Sequence, residues 1–208
     1  MNYSSSFIPS EESKGMKHLF MIMFFFAINF VKADTQLSLS GSLLYSNPDT
    51  NDLSGTIVTD EHSAVGGGVG MRALLELKEQ LHFRSGASII QKRFGFETQA
   101  VGKNVNKYFS LIYLNLPLTF YWKASRQIGF FGGTALNAKL SDHCHESGGS
   151  HSCTPNKVKA VVFPAIVGFD FYLMEKLGIE LSYEYGLTET AKDLKVHSAV
   201  ASLLFHID

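Results

Sequence analysis

The sequence predicts an all-β fold: a closed, antiparallel, up-and-down transmembrane barrel of about eight strands. Three observations carry this. Apolar and polar residues alternate with a period of two from residue 37 to the end. Long polar loops alternate with very short turns, and a secretory leader precedes the whole. From Ile179 to Leu187 the alternation is nearly perfect. Ile179, Leu181, Tyr183, Tyr185 and Leu187 fall on one face of an extended strand, with Glu180, Ser182, Glu184 and Gly186 on the other. A barrel wall in lipid carries this two-sided pattern.

Residues 1–33 are expected to be a signal peptide, with translation starting at Met16 because Glu11 and Glu12 are out of place in a leader. Lys14 and Lys17 supply the basic start. Leu19 to Phe30 is an apolar run of about 12 residues, and Val31-Lys32-Ala33 offers a small-residue cleavage site. A spanning helix needs roughly 20 apolar residues, which argues against an anchor. Residues 34–208 then form one barrel domain. The net charge of −1 and the lack of a basic block make nucleic acid a poor partner.

The strands follow in order. The first runs from Gln36 to Tyr45 with Leu37, Leu39, Leu43 and Tyr45 outward, and a polar loop spans Ser46 to His62. The second covers Ala64 to Leu77 and turns at Lys78-Glu79-Gln80. Val65, Val69, Met71, Ala73, Leu75 and Leu77 face lipid, with Gly66, Gly68, Gly70, Arg72 and Glu76 inside. The glycine run 66–70 is no phosphate loop, since neither Lys-Ser/Thr nor a helix pattern follows; there glycines let a curved strand bend. The third strand spans Leu81 to Phe96, with Arg84 and Lys92 inward, and a loop covers Glu97 to Lys107.

In the fourth strand Ile112, Leu114, Leu116, Leu118, Phe120 and Trp122 share the lipid face. Pro117 predicts a ladder interruption or bulge. After a turn at Lys123 to Gln127, the fifth strand runs from Ile128 to about Leu140. The sixth covers Lys157 to Leu173, with Val161, Phe163, Ala165, Val167, Phe169 and Phe171 outward and Asp170 inward. Met174 to Leu177 turns into the seventh strand, and Lys195 to Ile207 is the eighth. Each is long enough for the roughly 9–11 residues of a tilted spanning strand. An even strand count with short periplasmic turns places both termini in the periplasm, with Trp122, Tyr121 and Phe205 near the inner rim. A soluble lipocalin-like barrel shares the alternation, but its exterior carries Lys and Glu along every strand. Here the charges lie on the interior phase.

The run Tyr113-Leu114-Asn115-Leu116-Pro117-Leu118, with Gly129-Phe130-Phe131-Gly132-Gly133 after the turn, resembles the PorT-like outer membrane β-barrel family. So do Gly168-Phe169-Asp170-Phe171 and the 179–188 strand. The likeness covers most of the mature chain and is strongest from residue 108. It implies the outer membrane of a Gram-negative bacterium, insertion by barrel-assembly machinery through the Phe205 segment, and for some relatives secretion or gliding machinery as partner. The family brings no catalytic residues, and the cysteine-bearing loop is not part of its pattern.

Chemistry-bearing residues concentrate in His143 to Cys153. In an exported chain Cys144 and Cys153 are expected to form a disulfide. Metal binding by His143, His145, His151 and the thiolates is the rival, with ligand types that suit zinc or copper but no standard spacing. Arg72, Arg84 and Lys92 are expected to face Glu76, Asp170, Glu180 and Glu184 as a paired lumen network, because an eight-stranded bore is filled by its own side chains. A Ser–His hydrolase is disfavoured: His197 and Ser198 are adjacent and point to opposite faces. The expected function is a non-enzymatic outer membrane barrel with a structural or surface-interaction role, contacting membrane lipid and a surface or secretion-machinery partner, with no cofactor and no metal. A narrow channel or a lipid-modifying enzyme is the alternative.

Overall fold

Hydrogen bonding runs around a ring of antiparallel strands in the computed structural model. The structure describes residues 35–50, 58–100, 103–147, 158–191 and 194–207, and the expected leader lies outside them. The ring belongs to the unit Gln36–Asp208. Its strands are β1 (Thr35–Asp49), β2 (Val58–Lys78), β3 (Leu81–Ala100), β4 (Lys103–Lys123), β5 (Ile128–Glu146), β6 (Val161–Val162), β7 (Pro164–Met174), β8 (Leu177–Gly186) and β9 (Lys195–Ile207). The order is β4-β3-β2-β1-β9-β8-β7-β5, with β6 beside β5, and a β4–β5 pairing closes the circle. Closure removes the exposed sheet edges that neither lipid nor water tolerates well.

Side chains sort by alternation, inside out relative to a soluble barrel. Leu39, Leu43, Val69, Phe120, Val167, Phe169, Leu181 and Phe205 are exposed, while Arg84, Lys92, Asp170, Glu180 and Glu184 are buried. Val167 is 62% exposed and Asp170 only 1%. Such an apolar belt is stable against hydrocarbon and unstable against water, which decides between the two barrels with the same period. Leu75, expected outward, is 7% exposed; it lies opposite Phe83.

β2 to β5 are 19–21 residues long, against roughly 9–11 for a tilted span. They therefore rise about 20 Å beyond the hydrocarbon as a four-stranded ladder. Residues 97–107, expected as a loop, are mostly part of that ladder, with Gln99 paired to Asn104 and Ala100 to Lys103. The expected ends at Ala64 and Leu140 are bulges rather than ends. The β2–β3 register shifts between Ser63 and Gly68, and the β4–β5 register shifts at Ile112/Tyr113, opposite Leu140.

The expected sixth strand divides at Phe163. Pro164 has no N–H to donate, and the Phe163 N–H donates instead to Thr188 Oγ1 at 2.9 Å. Pro117 interrupts one ladder only: β3–β4 pairing jumps from Ser85–Leu118 to Ser88–Asn115, while Pro117 stays paired with Ala135 on β5. Two-residue connections, Glu79-Gln80 and Glu175-Lys176, close one end of the barrel. The third short turn is held by the Ser125 hydroxyl, which accepts from the Gln127 and Ile128 N–H groups at 3.2 and 3.0 Å.

Candidate functional site

The interior is layered along the barrel axis. Leu74, Tyr121, Phe131, Ala135 and Ile166 form an apolar cluster near the short-turn end. A second cluster, including Leu44, Ile90, Phe94, Phe96, Leu111 and Tyr113, fills the long-loop side. Between them sits a belt of charge. Arg84 Nη1 lies 2.8 Å from Glu180 Oε2 and 3.6 Å from Asp170 Oδ2. Arg72 pairs with Glu180, and Lys92 with Glu184.

These six residues arrive from β2, β3, β7 and β8, each on the inward phase of its strand. Buried ions of one sign are costly, so each cation here has a carboxylate opposite it. The Arg84 guanidinium also rests on the face of Phe131, 3.5 Å from the ring centroid, a cation–π contact that adds to its fit. Glu76 does not join them. It is exposed, next to the β2–β3 turn, where the register shifts between Glu76 and Lys78. It keeps the inward phase, opposite His82, but stands exposed where the ladder ends.

Neutral pairs complete the lining. Ser42 bonds Ser202 at 2.8 Å, Ser46 bonds Ser198 at 3.0 Å, and Asn115 Nδ2 donates to Asn137 Oδ1 at 2.6 Å. The cavity at the charge belt is about 30 Å³, room for about one water. A larger cavity of about 390 Å³ opens at the short-turn end, where Tyr121, Tyr172, His82 and His206 meet. The Tyr121 and Tyr172 hydroxyls are 3.5 Å apart, and the Tyr172 hydroxyl donates to Asp170 Oδ2 at 3.5 Å. Sequence reasoning missed this vestibule. Its signal was present, since all four residues lie on the interior phase within a few positions of a short turn or of the chain's last strand end.

His197 lies on the outer face, stacked between Tyr183 and Tyr185 at 6.4 and 4.5 Å between ring centroids. Its Nδ1 accepts from the Gly186 N–H at 3.2 Å, and its Nε2 faces Asp49 Oδ2 at 3.5 Å. Both ring nitrogens are thus engaged away from Ser198, whose hydroxyl bonds Ser46.

In the expected loop cluster, β5 continues through Glu146, so alternation separates the residues. Cys144 pairs with Phe109, whereas His143 and His145 are exposed on the other face. Those two imidazoles therefore do not share an ion with the Cys144 sulfur. His151 and Cys153 lie outside the described residues.

Comparison with curated proteins returns no match. Solved structures similar to the chain include Ail, the attachment invasion locus protein of Yersinia pestis, in complex with the heparin analogue sucrose octasulfate. That match has 14% identity and a TM-score of 0.47 over 83% of this chain and 99% of that one. Neisserial surface protein A is similar at 10% identity and a TM-score of 0.46, over 81% of this chain and 96% of that one. The sequence matches the outer membrane protein beta-barrel domain over residues 18–192. A closed ring with its apolar belt outside, its ions inside and that match across most of its length belongs to the outer membrane protein beta-barrel domain family.

Proposed function

We propose that the chain is a non-enzymatic barrel with a structural or surface-interaction role, its raised β2–β5 ladder being the working surface. The single observation that carries this is the blocked bore. Two ion pairs, Arg84–Glu180 and Lys92–Glu184, cross it between β3 and β8. A route for solute has to break both, and each broken pair leaves buried charge. The engagement of both His197 nitrogens supports the absence of a Ser–His hydrolase, whose base needs one nitrogen free for the nucleophile.

With the short turns periplasmic, both termini are periplasmic and the raised ladder meets the exterior. The PorT-like kinship belongs to this reading, supported by the 113–118 and 168–171 runs. So does barrel-assembly machinery as partner during insertion, supported by the exposed Phe205 near the end of β9. A surface or secretion-machinery partner would dock on the ladder. Cys144 and Cys153 pair as a disulfide, a reading supported by their export to an oxidising compartment.

Planar-bilayer conductance and lipid A mass spectrometry after overexpression test the reading together. The expected result is no discrete conductance steps and no mass change. Conductance steps would install the narrow channel in its place, and a defined mass change the lipid-modifying enzyme. Photo-crosslinking from exposed Thr59 on β2 in cells then identifies the partner.

A further inference from the structure

Outside the lumen, the raised ladder brings three metal-ligating residue types together on its outer face. Asp60 and His62 are two apart on β2 and share a face. Asp60 is paired across the ladder with Glu97 on β3. One ligand atom from each of Asp60, His62 and Glu97 lies within 4.8 Å of the others. We propose that these three side chains bind a divalent cation of the zinc type.

Two carboxylates directly opposite one another destabilise a ladder unless a cation lies between them. Among the described residues, the basic side chain in ion-pair range of the two is His62 itself, whose Nδ1 is 3.8 Å from Asp60 Oδ2. That imidazole is held in place. Its ring stacks on Tyr108 at 6.1 Å between centroids and 20° between planes.

The stack forms across Gly95, which is paired with His62 on one side and Tyr108 on the other. A Cβ at Gly95 would come within 2.9 Å of the Tyr108 ring, so glycine is what lets the two rings meet. The Asp60–Glu97 row continues onto β4. Asn106 is paired with Glu97, and its Oδ1 is buried with no hydrogen-bond partner among the described residues.

One imidazole nitrogen with two carboxylates suits zinc at ligand distances of about 2.0–2.2 Å and leaves a coordination position open. Calcium and magnesium prefer all-oxygen sets, so the histidine argues against them. Tyr108 stands between His62 and His145 in the same cross-strand row, which keeps this site apart from the histidines of β5. The cation ties β2 to β3 above the register break between Ser63 and Gly68, where the ladder alone holds residues 58–63 least regularly.

The test uses the folded barrel in detergent micelles with His143, His145 and His151 all replaced by alanine, so that those imidazoles do not compete. Titration calorimetry with zinc chloride is expected to show one ion bound per chain. His62→Ala and Asp60→Asn should each weaken binding by about tenfold or more, with heat-modifiable gel mobility reporting an intact barrel. Zinc should also slow amide exchange in residues 58–63, and not in the Asp60→Asn protein. No binding in the three-alanine background, or binding in both single variants as strong as in that background, overturns the site. Should His62→Ala fail to fold, Asp60→Asn and Glu97→Gln decide it.

Discussion

Arg84 and Glu180 lie on opposed walls of the barrel and still meet, Nη1 to Oε2, at 2.8 Å. β3 and β8 are four strands apart whichever way the ring is followed, through β4, β5 and β7 or through β2, β1 and β9. Only a narrow bore allows two side chains to close that gap. Lys92 and Glu184 repeat the crossing further along the same strands, between the same two walls.

The Lys92–Glu184 pair permits a clean test of what these crossings are worth. Lys92→Met leaves Glu184 buried and uncompensated, and is expected to cost about 3–5 kcal/mol of folding stability. Lys92→Met with Glu184→Gln should recover most of that loss. Urea titration of folding into lipid vesicles measures both, and an additive double variant would show that the two side chains do not interact.

The apolar belt makes an opposite prediction to that of any water-soluble barrel. Val167 is exposed near mid-height of β7, so Val167→Arg should cost about 2–4 kcal/mol in vesicles, whereas Met174→Arg beside the turn should cost about 0–1. On a soluble protein both exposed substitutions would fall within about 0.5 kcal/mol of neutral. The same vesicle titration reads the difference.

Close strand approach requires glycine at several positions of the ring, Gly66, Gly86 and Gly133 among them. A Cβ on Gly86 would stand 2.2 Å from the Met71 carbonyl oxygen, so Gly86→Val must push β2 and β3 apart, at about 1–3 kcal/mol. Gly41, with nothing within 4 Å of its Cβ position, should accept valine within about 0.5 kcal/mol. Heat-modifiable mobility on gels, followed as a function of urea, ranks the two.

The Cys144–Cys153 pairing carries a redox prediction. Maleimide should fail to label the unreduced protein and should label two thiols after reductant. Reduction should lower stability by up to about 3 kcal/mol on the loop-entropy account. Labelling of untreated protein would remove the Cys144–Cys153 bond.

Most of the wall was legible because alternation is a local property. Ile179 to Leu187, Phe163 to Phe171 and Ala199 to Ile207 each sort correctly into outward and inward sets from sequence order alone. What failed did so at bulges. Reading stopped at Leu140 and began only at Ala64 because a bulge inserts one residue and reverses the phase, so a strand that continues looks like a strand that ends. The polar stretch 97–107 misled for a different reason. Above the hydrocarbon both faces of a hairpin meet water or headgroups, and composition no longer separates strand from loop.

The inward phase named the charged residues without saying who meets whom. Glu76 shares the phase and not the network, because its ladder ends beside it. Asp60, His62 and Glu97 are 37 positions apart at most, and only the β2–β3 register makes them neighbours.

By itself, then, the sequence determined the period, the sign of each face and hence a barrel turned inside out for lipid, since burial of alternate residues depends on nothing beyond strand geometry and the surrounding solvent. The tertiary structure alone decided the register between strands, the height of the β2–β5 ladder and the pairing of Arg84 with Glu180. Those follow from how the ring closes, and ring closure joins residues nearly a hundred positions apart that no local pattern relates.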